Sequence, residues 1–153
     1  MKKVIKNIIE DQDDNNIALT SESSKPLLYK DLKSLVSKIA SQLAGNGISN
    51  KDRAAIVLPN GPFMASSFLS ISSYMSAAPL NPSYKTDEYE FYLKDLNPKI
   101  VIVEPNSNNK VVQVAKKLNI PVCEMKIKKD DPSGLFNLFD IESKYQLPEE
   151  NDE

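Results

Sequence analysis

The stretch Arg53–Pro82, RAAIVLPNGPFMASSFLSISSYMSAAPLNP, constrains the chain's fold more than any other. Ala54–Leu58 is a short apolar run with β-branched centres, bounded by Arg53 and Pro59, and reads as a buried strand. Pro59-Asn60-Gly61-Pro62 punctuates the chain, and Pro62 stands where a first helical residue is pre-set at the required φ. No Pro or Gly interrupts Phe63–Ser76, in which Met64, Phe68, Ile71 and Met75 recur at helical spacing. Ala77–Leu80 closes the unit as a second short strand. Strand, helix and strand within about 30 residues match the size of a βαβ crossover. The turn between the first strand and the helix carries neither GxGxxG nor GxxxxGK(S/T), so it offers no phosphate cradle.

Elements on either side extend the pattern. Val4–Ile9 suggests a short turn of helix. Ile17–Thr20 and Leu27–Tyr29, separated by the turn-rich Ser21–Pro26, read as a small β-hairpin with a loose loop. Leu32, Leu35, Val36, Ile39, Ala40, Leu43 and Ala44 then form one apolar stripe of an amphipathic helix. Lys33, Ser37, Lys38 and Ser41 occupy the opposite side of that helix. Gly45-Asn46-Gly47 supplies a left-handed residue to end it, and Ile48 is expected to fold back on its last turn.

After the βαβ unit, Asn81–Lys85 is a loop and Thr86 a suitable N-cap for a helix to Leu96, buried along Tyr89, Tyr92, Leu93 and Leu96. Asn97-Pro98 stops it. Lys99–Val103 is apolar almost throughout and reads as a strand covered on both faces. Ser107 can cap a helix that shows Val111, Val114, Ala115 and Leu118 on one side, and Pro121–Ile127 is the next strand. Lys126–Asp131 changes charge sign midway and reads as exposed. Leu135, Phe136, Leu138, Phe139 and Ile141 need a surface to cover, as a short helix. From Pro148 the tail has no apolar residue and is expected to be disordered. The expectation is one α/β unit over residues 1–147, a small β-hairpin followed by a mainly parallel sheet with flanking helices, then an acidic tail over 148–153.

Composition limits the chemistry. The 153 residues suffice for one domain burying roughly 68–70% of its unfolded surface. A formal net charge of −2 gives no case for nucleic acid or an acidic membrane surface. The chain has no histidine, which removes the usual general base and the commonest metal ligand. Its one cysteine, Cys123, lies in an apolar run and reads as a small buried hydrophobe. No h-region follows the start and no run of about 20 apolar residues occurs, so neither a signal peptide nor a membrane span is expected. The end of the chain is neither a peroxisomal tripeptide nor a lipidation box, and a cytoplasmic location is the default expectation.

Four phrases, in order, resemble the N-terminal part of the adenylate-forming enzymes. Leu27-Leu28-Tyr29-Lys30-Asp31-Leu32 looks like the Leu-Thr-Tyr-x-x-Leu that opens the family's first long helix. Gly47-Ile48 with Lys51–Asn60 resembles its Gly-(Val/Ile)…Gly-Asp-Arg-Val-Ala-Ile-(Leu/Val)-Leu-Pro-Asn segment. Ala78–Pro82 resembles its (Val/Ala)-Pro-Leu-Asn-Pro loop, and Lys99–Val103 falls where the family has a strand. The likeness runs over about residues 17–147, and the wording around residues 77–99 is most similar to acyl-CoA ligases of the oxalate–CoA ligase-like branch.

The resemblance implies a family chemistry in which a carboxylate is joined to AMP from ATP with Mg2+, and the acyl group then passes to coenzyme A. It also implies that the ATP-phosphate loop, the adenine and ribose motifs and the catalytic lysine follow the segment seen here. Lys33-Ser34 and Ser37-Lys38 are mid-helix pairs without a glycine loop and do not replace them. No catalytic, cofactor-binding or metal-binding residue is therefore carried over, and no cofactor is expected for this chain alone. Some relatives place a basic residue near the Asn81–Lys85 loop, toward coenzyme A; here Ser83 and Tyr84 stand nearby, and Lys85 is the nearest cation. A helix-leading loop is the plainer reading.

Three readings of function compete. The first is the N-terminal scaffold of an acyl-CoA ligase, inactive alone, with an exposed apolar surface such as Leu135–Ile141 that could also drive self-association. The second is a non-enzymatic interaction module that pairs with a separate chain supplying the rest of a ligase. The third, a phospho-receiver, fails because strand 54–58 ends in Pro-Asn-Gly and strand 100–103 in Glu-Pro, without the acidic residues receivers need.

Overall fold

A computed structural model describes residues 4–139. The expected acidic tail over 148–153 and Ile141 of the apolar stretch lie outside the described residues. Helix α1 (Ile5–Glu10) precedes a two-stranded antiparallel hairpin, β1 (Ile17–Ser21) with β2 (Ser24–Leu28). Helix α2 (Tyr29–Gly45) leads to strand β3 (Arg53–Val57), helix α3 (Pro62–Ser72) and strand β4 (Ser76–Pro79). Helix α4 (Thr86–Leu96), strand β5 (Ile100–Val103), helix α5 (Lys110–Lys117) and strand β6 (Val122–Glu124) complete the order.

Strands β3 to β6 form a parallel sheet in the order β4-β3-β5-β6. The path steps outward from β3 to β4, then back past β3 to β5 and on to β6. With one crossover hand, those opposite lateral steps put α3 on one face and α4 and α5 on the other. The core divides accordingly. Ala54, Ile56, Leu58, Ile100, Ile102, Cys123 and Met125 join the core that includes α2 and α3. Ala55, Val57, Val101 and Val103 pack with Tyr89, Leu93, Val111, Val114 and Ala115 of α4 and α5. All four residues of β5 are buried, which is why its sequence shows no polar alternation.

The α2 stripe is buried as its spacing predicts, from Leu32 to Leu43. Gly47 takes the left-handed conformation at φ +76°, and the Ile48 amide donates back to the Leu43 carbonyl at 3.0 Å. Elsewhere the boundaries move for identifiable reasons. The hairpin loop is tighter than expected, because Ser24 and Lys25 already pair in β2 and Tyr29 begins α2. Lys85, not Thr86, is the N-cap of α4: Glu88 accepts the Lys85 amide proton at 2.7 Å and closes the first turn one residue earlier. Asn109 rather than Ser107 caps α5, with its Oδ1 accepting from the Val111 amide at 2.9 Å. Ser107 instead accepts from the Asn109 amide through Oγ. Helix α3 ends at Ser72, short of the expected Ser76, where the Tyr74 hydroxyl donates to the Ile48 carbonyl at 2.8 Å and fixes the chain's exit. Strand β6 is only three residues long, since Lys126 turns away to bridge Asn137 in antiparallel fashion.

The apolar stretch after Ser133 forms no helix over its described residues. It is an irregular cover, with Phe136 and Leu138 each 1% exposed, and so those two are not a docking surface awaiting a partner. Gln42, 1% exposed on α2, holds it: its Oε1 accepts from the Leu138 amide at 2.8 Å and the Phe139 amide at 3.1 Å. Its Nε2 donates to Asn137 Oδ1 at 2.9 Å. The Ser133 amide donates to the Lys25 carbonyl at 2.9 Å, tying the same segment to the hairpin.

Candidate functional site

Ligands of open parallel sheets collect at the carboxyl ends of the strands, where loops diverge. Here that edge holds a cleft of about 680 Å³ between the β3–α3 turn, one side of α3 and the loop after β4. Its walls include Leu58 and Asn60 beyond β3, Met64 and Phe68 on α3, and Leu80 and Asn81 beyond β4. Helix α3 is turned in a way its apolar spacing does not predict. Its buried residues are Ser66, Ser67, Ser70 and Ile71, while Phe68 is 36% exposed and Met64 only half-buried.

Serines can face inward because each hydroxyl finds a carbonyl. Ser66 Oγ donates to the Gly134 carbonyl at 2.7 Å, and Ser70 Oγ to the Ser66 carbonyl at 2.8 Å. Gly134, at φ +77°, lies so close that an added Cβ would stand 2.8 Å from the Pro62 carbonyl oxygen. Small side chains let α3 press against the rest of the fold beside Ile71, Phe63 and Leu69, and two of its larger residues, Met64 and Phe68, line the cleft. The sequence signal for this was Ser66, Ser67 and Ser70 at helical spacing.

The floor loop, Asn81–Lys85, is rigidly made. Asn81 Oδ1 accepts from the Ser83 amide at 2.9 Å, and the Tyr89 hydroxyl donates to the Asn81 carbonyl at 2.9 Å. Asn109 Nδ2 donates to the Pro82 carbonyl at 2.8 Å, so the residue that caps α5 also anchors this loop. The Tyr84 ring stacks on Tyr92 at 5.0 Å and meets Tyr89 edge-on at 5.7 Å. Hydrogen bonding to the Tyr92 phenol, then burial and neighbouring charge, hold the Tyr84 phenol above its ordinary value. Burial does the same for Tyr89. Of the three residues singled out in this loop, Ser83 reaches the cleft, Tyr84 belongs to the aromatic stack, and Lys85 is an exposed N-cap.

Every described residue lining the cleft is uncharged. It offers apolar walls, two amide side chains and one hydroxyl, a surface for packing and hydrogen bonding with no group that titrates near neutrality. A triphosphate with its metal needs cations, unspent backbone N–H groups and carboxylates. The turn before α3 spends its first helical position on Pro62, which has no N–H. A Cβ added at Gly61 would meet nothing within 4 Å, so the turn is not closed around a ligand-sized cradle. Among the described residues no group of three His, Cys, Asp or Glu side chains could hold a metal ion. These residues do not fit ATP and Mg2+, and no step is routed through them.

The other marked positions are structural. Lys33 Nζ contacts Asp14 Oδ1 and the Gln12 carbonyl at 2.6 Å each, tying α2 to the segment before the hairpin. Cys123 is buried, and burial pushes its thiol up to about 11. Residues 126–130 are exposed, as the sign change along them predicts.

Hairpin, long helix and βαβ-built parallel sheet together define the N-terminal subdomain fold of the adenylate-forming enzymes. ATP-bound MatB from Rhodopseudomonas palustris shares it at a TM-score of 0.68 and 21% identity, over 78% of this chain and 24% of that one. The o-succinylbenzoate CoA synthetase of Bacillus subtilis, solved with its acyl-adenylate intermediate, aligns at a TM-score of 0.66 and 20% identity, over 77% and 30%. The chain belongs to the AMP-binding enzyme family, whose model matches residues 9–152. Among curated relatives, an oxalate–CoA ligase of Arabidopsis thaliana is 33% identical over 105 residues, 67% of this chain and 20% of its own length. A probable CoA ligase of Humulus lupulus is 35% identical over 95 residues, 61% of this chain and 18% of its own. The chain thus spans about a fifth of the length of these relatives. Among the described residues no helix is long and apolar enough to cross a membrane.

Proposed function

We propose that this chain is the N-terminal scaffold of an ATP-dependent acid–CoA ligase and does not adenylate a carboxylate by itself. One observation carries the reading. The family match covers residues 9–152, yet none of the described residues lining the cleft at the carboxyl edge of its sheet is charged. In this reading ATP, Mg2+ and coenzyme A are held by ligase polypeptide beyond this segment, and the cleft walls are packing surface for that polypeptide. Met64 and Phe68 supply the apolar contacts, and Asn60 and Asn81 the hydrogen bonds at their margin. The remainder is supplied either in continuous chain or as a second polypeptide, which co-purification distinguishes. Without it, the uncovered α3 side favours self-association of the isolated chain. A cytoplasmic location accompanies this reading.

ATP–pyrophosphate exchange with a panel of short carboxylic acids tests the claim. The chain alone should give no acid-dependent exchange above a protein-free control. Acid-dependent exchange by this chain, abolished by denaturing it, contradicts the scaffold reading.

A further inference from the structure

The amino-terminal edge of the same sheet has the opposite chemistry. Lys51, Asp52 and Arg53 lead into β3, while Asn97, Pro98 and Lys99 lead into β5, and these six line a cleft of about 330 Å³. Ala54 lies beside Ile100 in the parallel register, and the Lys99 amide donates to the Arg53 carbonyl at 2.8 Å. Arg53 and Lys99 are therefore direct neighbours on adjacent strands, which run about 5 Å apart. Like charges so placed repel and weaken the sheet.

Arg53 is held in place, because its Nε donates to the Leu96 carbonyl at 2.6 Å at the end of α4. Among the described residues, the donors on both terminal guanidinium nitrogens have no partner. Lys51 adds a third exposed cation. The single carboxylate lining the cleft is Asp52, and its Oδ2 accepts from the Ser49 amide at 2.8 Å. No carboxylate among the described residues forms an ion pair with Lys51, Arg53 or Lys99. Three cations are thus gathered at one cleft, and among the described residues none has a carboxylate in ion-pair contact.

We propose that this cleft binds a small phosphate-bearing anion, at the end of the sheet opposite the α3 cleft. A doubly charged tetrahedral group suits it: the guanidinium fork can present two parallel N–H donors to two oxygens, and the lysines supply point charges. Asn97 lines the same space. The inference does not depend on what covers the α3 cleft.

Titration of the intact chain with inorganic phosphate, against chloride at matched ionic strength, tests it by amide NMR and thermal unfolding. Saturable shifts centred on residues 51–53 and 97–99, with a raised Tm, are expected. Lys51→Gln and Lys99→Gln should each weaken phosphate binding by about two- to fivefold, the range for one exposed charge contact. Among the described residues neither lysine side chain bonds another element, so both variants should keep the far-ultraviolet spectrum; Lys51→Gln should keep the phosphate-free Tm, and Lys99→Gln, which removes the repulsion with Arg53, should keep or slightly raise it. Lys128→Gln, an exposed lysine elsewhere, should bind phosphate as the parent does. Shifts that never saturate, shifts spread equally over Lys110, Lys128 and Lys129, or affinity unchanged in both variants would overturn the proposal.

Discussion

The two sides of α3 are made of different materials. The inward side is Ser66, Ser67, Ser70 and Ile71, all buried, whereas the cleft side has Met64 and Phe68 in partial contact with solvent. An isolated helix with this sequence would be expected to bury its large apolar residues and expose its serines. The inversion shows that α3 meets two surfaces. One is satisfied within the described chain by close backbone approach and serine–carbonyl bonds. The other leaves Phe68 36% exposed, and in the scaffold reading proposed above it is covered by further ligase polypeptide.

Substitutions on the first surface should therefore cost far more than those on the second. Gly134→Ala has the largest expected effect, since it puts a Cβ 2.8 Å from a backbone oxygen at a φ of +77°. A loss of about 3–4 kcal/mol is expected, from left-handed strain together with the forced shift, read as a lowered urea midpoint. Gln42→Leu comes next. It strips the buried Leu138 amide, the part-buried Phe139 amide and Asn137 of their partner, and should cost about 3 kcal/mol in the same measurement.

Cys123 sharpens the contrast through pH. Its thiol keeps its proton to about 11 in the folded protein, against an ordinary value of 9.0. Below the ordinary value both states are protonated and the thiol contributes no pH dependence. Between the two values the unfolded state alone releases the proton, so stability falls as pH rises. The parent should lose about 2 kcal/mol more than Cys123→Ala over that interval, compared by urea titration at pH 8.5 and 11. Parallel curves for the two proteins would show that the buried thiol carries no such penalty. Tyr89→Phe removes the bond to the Asn81 carbonyl under the cleft and the hydroxyl's hydrogen bonding with the Asn109 side chain. It should cost about 1 kcal/mol and loosen the Asn81–Lys85 loop, seen as faster amide exchange at Ser83 and Tyr84.

The architecture was largely legible because strands buried on both faces and a clean helical stripe leave strong patterns. The β3–α3–β4 unit, the α2 stripe and the β5 run follow directly from residue spacing. What the spacing did not reveal was that α3 also buries Ser66, Ser67 and Ser70 while Phe68 of its apolar set stays 36% exposed, because hydroxyls that bond carbonyls three or four residues back can be buried without a partner that sequence reveals. The caps at Lys85 and Asn109 moved for a related reason: several nearby polar residues could fill each role, and tertiary placement chose among them. The cover formed by Phe136 and Leu138 was invisible as a structure, since it has no periodicity and depends on Gln42, far away in sequence. The cleft's lack of charge was readable from its residues, but not that those residues meet. The cationic cleft was hidden likewise, because only the β3–β5 register brings Arg53 beside Lys99.

The account turns on whether the cleft side of α3 is an interface for further ligase polypeptide. Phe68→Asp measures this when its effect on unfolding free energy is determined twice, in this chain and in a protein extended with the remainder of its ligase. A loss of about 1–2 kcal/mol is expected in this chain, where Phe68 is already 36% exposed. About 3 kcal/mol or more is expected in the extended protein, where the ring is fully covered. Equal losses in the two would contradict the account.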